Sequence, residues 1–151
     1  MIKNIVLINA DKNDKELIRE IHHQAYKEMV IAQFGKWNID FQNNMFEDDW
    51  KKGGFELISF NSYNCGYILT NIDDNTLSII DFAILSKYQN SKIGSNVLNI
   101  IKKRATDNKL AIKLGAFITN VNAHRFYKNN GFVESNRSNL HILYEWKSDY
   151  V

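Results

Sequence analysis

Between Phe55 and Ala105 the hydrophobic period of the chain changes once, and that change does most to restrict the fold. Phe55 to Phe60, Gly66 to Asn71 and Thr76 to Leu85 are short β-rich runs, separated by turn-forming clusters at Asn61-Ser62 and Asp73-Asp74-Asn75. Runs with so little chain between them pair as an antiparallel meander. After Gly94 the period is helical. Ile93, Val97, Ile101 and Ala105, with Leu98 beside them, mark one face, and Lys102, Lys103 and Arg104 fill the last turns, where cations complement the helix dipole.

The flanking segments extend the same plan. Ile5 to Ile8 reads as a strand, and Asn13 with Glu16 three residues later resembles a capping box opening a helix from about Lys12 to Val30. Leu17, Ile21, Ala25 and Met29, with Ile18 beside them, form its apolar face, and Gly35 interrupts it. From Phe34 to Trp50 the aromatics Phe34, Trp37, Phe41, Phe46 and Trp50 mix with acidic and polar residues, which predicts a second short helix closed by Gly53-Gly54. Leu110 to Thr119 is strand-like, Ala123 to Asn130 is a short helix, and Gly131 stands where a helix end adopts left-handed geometry. Phe132 to Arg137 and Leu140 to Trp146 complete a final strand pair. The order is strand, two helices, three strands, helix, strand, helix, two strands, an α+β plan on a mixed sheet. With 151 residues the expectation is one domain over 1–151, long enough for a single core.

Composition excludes several classes. A net charge of +2 carries no basic face for duplex nucleic acid, although a local basic pocket for a polyanionic ligand remains open. The apolar run before Asp11 is shorter than a signal-peptide core or a membrane span, so no membrane association is expected. The single cysteine, Cys65, has no internal disulfide partner, which fits a reducing cytoplasm. His22-His23, His124 and His141 lack metal-ligand spacing with cysteines or carboxylates, and no metal is expected. No G-x-S-x-G nucleophile motif is present.

Asn120 to Phe132 reads Asn-Val-Asn-Ala-His-Arg-Phe-Tyr-Lys-Asn-Asn-Gly-Phe. It resembles the N-x-x-A-x-x-[FL]-Y-x-x-x-G-F segment of the GNAT acyl-CoA N-acetyltransferases, with Asn120, Ala123, Phe126, Tyr127, Gly131 and Phe132 in the fixed positions. The order of elements is similar to the GNAT fold across nearly the whole chain. The resemblance implies α/β/α layers around a mixed, mostly antiparallel sheet of about seven strands with about four helices. It also implies acetyl-CoA as cofactor. In the family the cofactor loop follows [QR]-x-x-G-x-[GA]; Gln89 and Gly94 match, with Tyr88 before them, and Lys92 replaces the first glycine. A loop of exposed amides running into a helix N-terminus suits a diphosphate. If residue 92 needs positive φ, lysine is strained there, while its ammonium is placed to pair with phosphate. The implied cofactor binders are Phe82, Ala83 and Ile84 through backbone, Gln89, Asn90, Ser91, Lys92, Ile93, Gly94 and Ser95 in the loop, and Asn120, Ala123, Phe126 and Tyr127 downstream.

Transfer to an amine needs a neutral nucleophile, stabilisation of the oxyanion and a proton for the thiolate. Tyr127 matches the family tyrosine that supplies that proton. Asn120 resembles the residue that bonds pantetheine, and asparagine also caps helices, so Asn120 or Asn122 is open to that role. The glutamate that several members carry five residues before the motif asparagine is Gly115 here. Asp81 interrupts an apolar run from Leu77 to Leu85: it either serves as base or amine anchor, or points to solvent. Trp37 and Gln42 resemble a Trp-x-x-x-x-Gln spacing of a bacterial subgroup and are candidates for the acceptor pocket; Glu47, Asp48 and Asp49 either attract a cationic amine or form a solvated helix face. The expectation is direct acetyl transfer to a primary amine of a small molecule, peptide or protein, by a monomer or homodimer. A catalytically idle acyl-CoA sensor is the alternative, motivated by Lys92 and Gly115.

Overall fold

A computed structural model describes residues 4–149; Met1 to Lys3, the start of the N-terminal apolar run, lie outside the described residues. The elements are β1 (Ile5–Asn9), α1 (Lys15–Phe34), α2 (Ile39–Lys52), β2 (Phe55–Phe60), β3 (Tyr63–Asp73), β4 (Thr76–Ile84), α3 (Ile93–Asp107), β5 (Ala111–Phe117), α4 (Val121–Asn129), β6 (Val133–Arg137) and β7 (His141–Trp146). The strands form one seven-stranded sheet in the order β1-β2-β3-β4-β5-β7-β6. Every pairing is antiparallel except β4 with β5. That parallel pair follows from the helix between the two strands, because a crossover returns the chain in the same direction.

Helices cover both faces. Ile93, Val97, Leu98, Ile101 and Ala105 of α3 and Tyr127 of α4 pack with Ile58, Ile68, Leu77, Ile79, Ile112, Leu114, Ile142 and Tyr144. On the other face Ile18 and Ile21 of α1 and Phe46 of α2 pack with Phe55, Leu57, Tyr67, Leu69 and Ala83. The α1 face is turned slightly from the predicted one. Leu17 is 37% exposed and Ile18 is fully buried. The start also differs: Asp11 and Asp14, not Asn13 and Glu16, make the capping box, on a short 3-10 turn that leads into α1. Aspartate at both positions satisfies two orphan amides reciprocally.

The turn chemistry matches its predicted positions. Asn61 and Ser62 both have positive φ, the two-residue hairpin geometry, and Asp74 does so in the next turn. Gly35 ends α1 with φ 81°, and Gly131 follows α4 with φ 85°. Arg104 does more than face the α3 dipole, since it forms a two-pronged ion pair with the buried Glu56 of β2 at 2.7 and 3.1 Å and ties helix to sheet.

Two coincident irregularities in β4 position the site. Leu69 pairs with Asp81 and Thr70 pairs with Ile79, so Ile80 is a bulge with no partner on β3. On the opposite edge the parallel ladder to β5 ends at Ile79 with Leu114, although β4 runs on to Ile84 and β5 to Phe117. From Ile80 onward β4 therefore has a neighbour on one side only. The extra residue also reverses the alternation: Leu77 and Ile79 face α3, and so do Phe82 and Ile84, while Ala83 faces α1 with Asp81 two residues before it.

Candidate active site

The unpaired edge of β4 carries backbone groups with unusual partners. Leu85 donates to the Cys65 carbonyl on β3, and peptide direction alternates along a strand, so Phe82 and Ile84 aim their backbone groups away from β3, to the side that β5 has left. Side chains take them up. The Tyr26 hydroxyl of α1 accepts from the Phe82 N–H and donates to the Phe82 carbonyl, each at 3.3 Å, and Gln89 donates to the Ile84 carbonyl at 2.8 Å. Gln89 thus closes the β4–α3 loop onto the strand end.

That loop alternates in handedness. Asn90 and Lys92 have φ of 61° and 68°, whereas Ser91 does not have positive φ, and such alternation gathers successive amides into a concave nest. Lys92 occupies the strained left-handed position anticipated for it. The Ser91 hydroxyl donates to the Tyr88 carbonyl and holds the turn. Helix α3 begins without any side-chain cap, unlike α2 and α4, where Asn38 and Asn120 cap. Its first amides, from Ile93, Gly94 and Ser95, therefore have no intrahelical acceptor. Gly94 has a steric reason. A Cβ there would stand 3.0 Å from the Phe126 ring of α4, so the lack of a side chain lets the loop, α4 and Phe82 pack together, with Phe82 and Phe126 rings 6.2 Å apart. Ala123 packs beside them.

Asn120 uses its side-chain oxygen to cap α4, accepting from the Ala123 N–H at 3.1 Å, and its amide nitrogen donates to the Met29 sulfur. Tyr127 is 9% exposed and packs edge-on against Phe126 and Phe132. Burial, and secondarily the negative charge of Asp81, push its phenol well above the usual range. It is therefore a firmly protonated donor lying within electrostatic reach of Asp81.

Asp81 is not a solvent-facing strand residue. The bulge turns it under α1, where Tyr67 donates to its Oδ2 at 3.3 Å and the His22 ring nitrogen Nε2 lies 4.0 Å away. Burial raises the carboxyl to about 6, against the opposing pull of the nearby Tyr26 and Tyr67 hydroxyls, and the charge of Asp49 on α2 pushes the same way as burial. His22 is driven the other way, to about 4, by burial and then by the neighbouring His23. The two groups are therefore a neutral imidazole beside a carboxylate at neutral pH. His22, Tyr26 and Tyr67 are site residues that the sequence reading missed. The signal was the His22–Tyr26 spacing of four, which puts both rings on the α1 face that covers the sheet, stacked 4.9 Å apart.

The other acceptor-side candidates divide. Trp37 meets the His23 ring edge-on at 5.3 Å, and Gln42 is buried in α2. Glu47 is engaged by Lys15 and Arg19, a pairing that accounts for its lowered carboxyl. Phe41 and Phe34 are largely exposed, whereas Phe46 is core. Gly115 carries no carboxylate, and a Cβ there would stand 3.0 Å from the tip of the Leu143 side chain, so a side chain at this position requires Leu143 to shift. Past it runs an open groove of about 660 Å³, lined by Ile80, Lys113, Gly115, Asn136, His141 and Leu143 among others. The groove borders the bulge at Ile80, and neither Asp81 nor Tyr127 lines it.

A family model described as "Acetyltransferase (GNAT) family" matches residues 17–132. The chain belongs to the GNAT acetyltransferase family. Solved structures agree on the GNAT fold. It is similar to PaiA N-acetyltransferase of Thermoplasma acidophilum in complex with coenzyme A, at TM-score 0.78 and 17% identity over 97% of this chain and 100% of that one. A GNAT acetyltransferase of Staphylococcus aureus Mu50 matches at TM-score 0.72 and 24% identity, covering 95% and 99%. Arabidopsis thaliana Naa50, in complex with the bisubstrate analogue CoA-Ac-MVNAL, matches at TM-score 0.69 and 17% identity, covering 97% and 100%. Among the described residues of this GNAT protein, no helix is long and apolar enough to cross a membrane.

Proposed function

We propose that this GNAT domain, over 1–151, transfers an acetyl group from acetyl-CoA to a primary amine by direct attack. The observation that carries the reading is the parting of β4 from β5 at the Ile80 bulge, which leaves strand backbone at Phe82 and Ile84 beside a capless helix end, with Asp81 and Tyr127 flanking. Acetyl-CoA supplies the activated acyl group as a thioester. Its diphosphate fits the amides of Asn90 to Ser95, where the nest and the α3 dipole favour an anion and the Lys92 ammonium adds charge. Phe82, Ala83 and Ile84 are read as backbone binders of the pantetheine arm, Phe82 exchanging its Tyr26 hydrogen bond for one to the ligand. Gln89 shapes the loop, and Ala123 and Phe126 wall the slot. Asn120 presents α4 by capping it, with its amide nitrogen offered to pantetheine in exchange for Met29.

Asp81 holds the acceptor ammonium and draws off its proton, and Tyr127 donates a proton to the departing thiolate. A carboxyl near 6 is mostly ionised at neutral pH yet basic enough to accept a proton, which suits a general base. Trp37 and Gln42 are read as acceptor-side residues, a reading supported by the contact of Trp37 with the His23 ring.

The test is a CoA-release assay over a panel of primary amines. Turnover above cofactor hydrolysis is expected for at least one amine, with kcat of Tyr127→Phe reduced by about 100-fold. Stabilisation by acetyl-CoA without turnover of any amine would leave the idle sensor as the reading; a phenylalanine variant equal to wild type across pH would remove Tyr127 as the acid.

A further inference from the structure

Behind Asp81 runs a line of hydrogen bonds whose direction can be deduced. Arg19 Nη1 lies 3.2 Å from Asn43 Oδ1, and a guanidinium only donates, so the Asn43 atom is the carbonyl oxygen. His23 Nε2 lies 2.8 Å from the same oxygen and must therefore carry a hydrogen. A neutral His23 then has a bare Nδ1, which faces His22 Nδ1 at 2.9 Å, so the hydrogen between them belongs to His22. His22 Nε2 is left as an acceptor, 4.0 Å from Asp81 Oδ2, which is already accepting from Tyr67. Two acceptors face each other across a gap with no hydrogen to share. An ammonium N–H supplies the missing donor to either of them.

We propose that Arg19, Asn43 and His23 orient His22 so that its Nε2 stays an acceptor beside Asp81 and takes a hydrogen bond from the acceptor amine while Asp81 draws off the proton. The inference rests on the reading of Asp81 as the amine-binding carboxylate. One ammonium N–H bonds to His22 Nε2 and stays on the nitrogen. A second N–H bond breaks as Asp81 takes that proton, its electron pair stays on nitrogen for attack, and ammonium and carboxylate become neutral amine and carboxylic acid. His22 would be a catalytic residue, touching the ammonium; His23, Asn43 and Arg19 are positioning residues.

The surroundings favour this direction. Around His22 the titratable and charged groups are His23, Tyr26 and Arg19 on α1, Glu47 and Asp49 on α2, Tyr67 on β3 and Asp81 on β4. Glu47 holds Arg19, so that the guanidinium is presented to Asn43. Burial disfavours an imidazolium at His22, which keeps the ring neutral and its Nε2 an acceptor.

Two measurements test this on the intact chain. Long-range proton–nitrogen correlation spectra of 15N-histidine protein at pH 7.5 should show His22 with hydrogen on Nδ1 and a bare Nε2. Asn43→Leu should shift population toward the Nε2–H tautomer; His23→Gln, which still offers one donor and one acceptor, should preserve the wild-type tautomer. A protonated His22 Nε2 in wild type overturns the proposal, and this readout needs no turnover. In kinetics, His22→Phe should raise the KM for the amine about 10-fold at pH 7 and leave the KM for acetyl-CoA unchanged. An amine KM equal to wild type in His22→Phe overturns the role of His22 even if acetylation itself is intact. A wild type that acetylates no amine defeats the function proposed above, and the tautomer experiment still decides the orientation.

Discussion

Lys92 adopts a backbone conformation that most side chains avoid, with φ 68° at the entry to α3. Left-handed geometry at a residue with a Cβ costs about 1 kcal/mol, and glycine removes that strain while adding some unfolded-chain entropy. Lys92→Gly should therefore raise stability by about 0.5–1 kcal/mol in urea denaturation. If the ammonium also pairs with phosphate, the same variant should bind acetyl-CoA more weakly at low salt and with a shallower salt dependence, read by calorimetric titration at two ionic strengths. The residue thus joins a visible sequence departure to a measurable exchange of strain for charge. Asn120 teaches the complementary lesson. Its motif position was legible, but its side-chain oxygen is engaged in capping α4, and only the packed neighbourhood reveals that the amide half faces Met29.

At the scale of elements, β4 is held on one side by β3 and released on the other, so the β3 contact has to be close. Gly66 makes it so. A Cβ at that position would stand 2.2 Å from the Ala83 carbonyl oxygen, a backbone atom that cannot move without shifting the strand carrying Phe82. Gly66→Ala should destabilise the fold by about 2–3 kcal/mol, seen as a lower denaturation midpoint, and should weaken acetyl-CoA binding in a thermal-shift titration. An unchanged midpoint would show that β3 and β4 can separate freely. Strand and helix types here were readable from period and turn chemistry, as at Asn61-Ser62 and Gly131, because those signals are local. The bulge was not readable, because Ile80 is an ordinary β-branched residue and its extra place depends on the register with Leu69 and Thr70. Were Ile80 paired as in a regular strand, alternation would put Asp81 on the same face as Ile79.

For the molecule as a whole, Asp81 and His22 oppose each other in pH-dependent stability. A carboxyl raised from 3.8 to about 6 on folding binds its proton more tightly when folded, so stability falls as pH rises through that window, by about 3 kcal/mol in all. A histidine lowered from 6.5 to about 4 resists protonation when folded, so its contribution makes stability rise over nearly the same window, by about 3 kcal/mol. In wild type the two largely cancel between pH 4 and 6.5. Asp81→Asn should leave the rising limb, with a melting temperature that climbs from pH 4 to 6.5 and exceeds wild type at pH 7.5. His22→Gln should leave the falling limb. Parallel melting-temperature profiles for the three proteins would contradict the burial of this pair. The sequence by itself determined the order and type of nearly all elements, the family motif from Asn120 to Phe132, and the departures at Lys92 and Gly115. These are properties of local period, turn geometry and residue identity. Only the tertiary structure decided that Asp81 turns under α1 to meet His22 and Tyr67, that Tyr26 engages the Phe82 backbone, and that Leu143 packs closely over Gly115. Each of those depends on where a distant strand or helix comes to rest, and a bulge of one residue is enough to reverse which face a side chain meets.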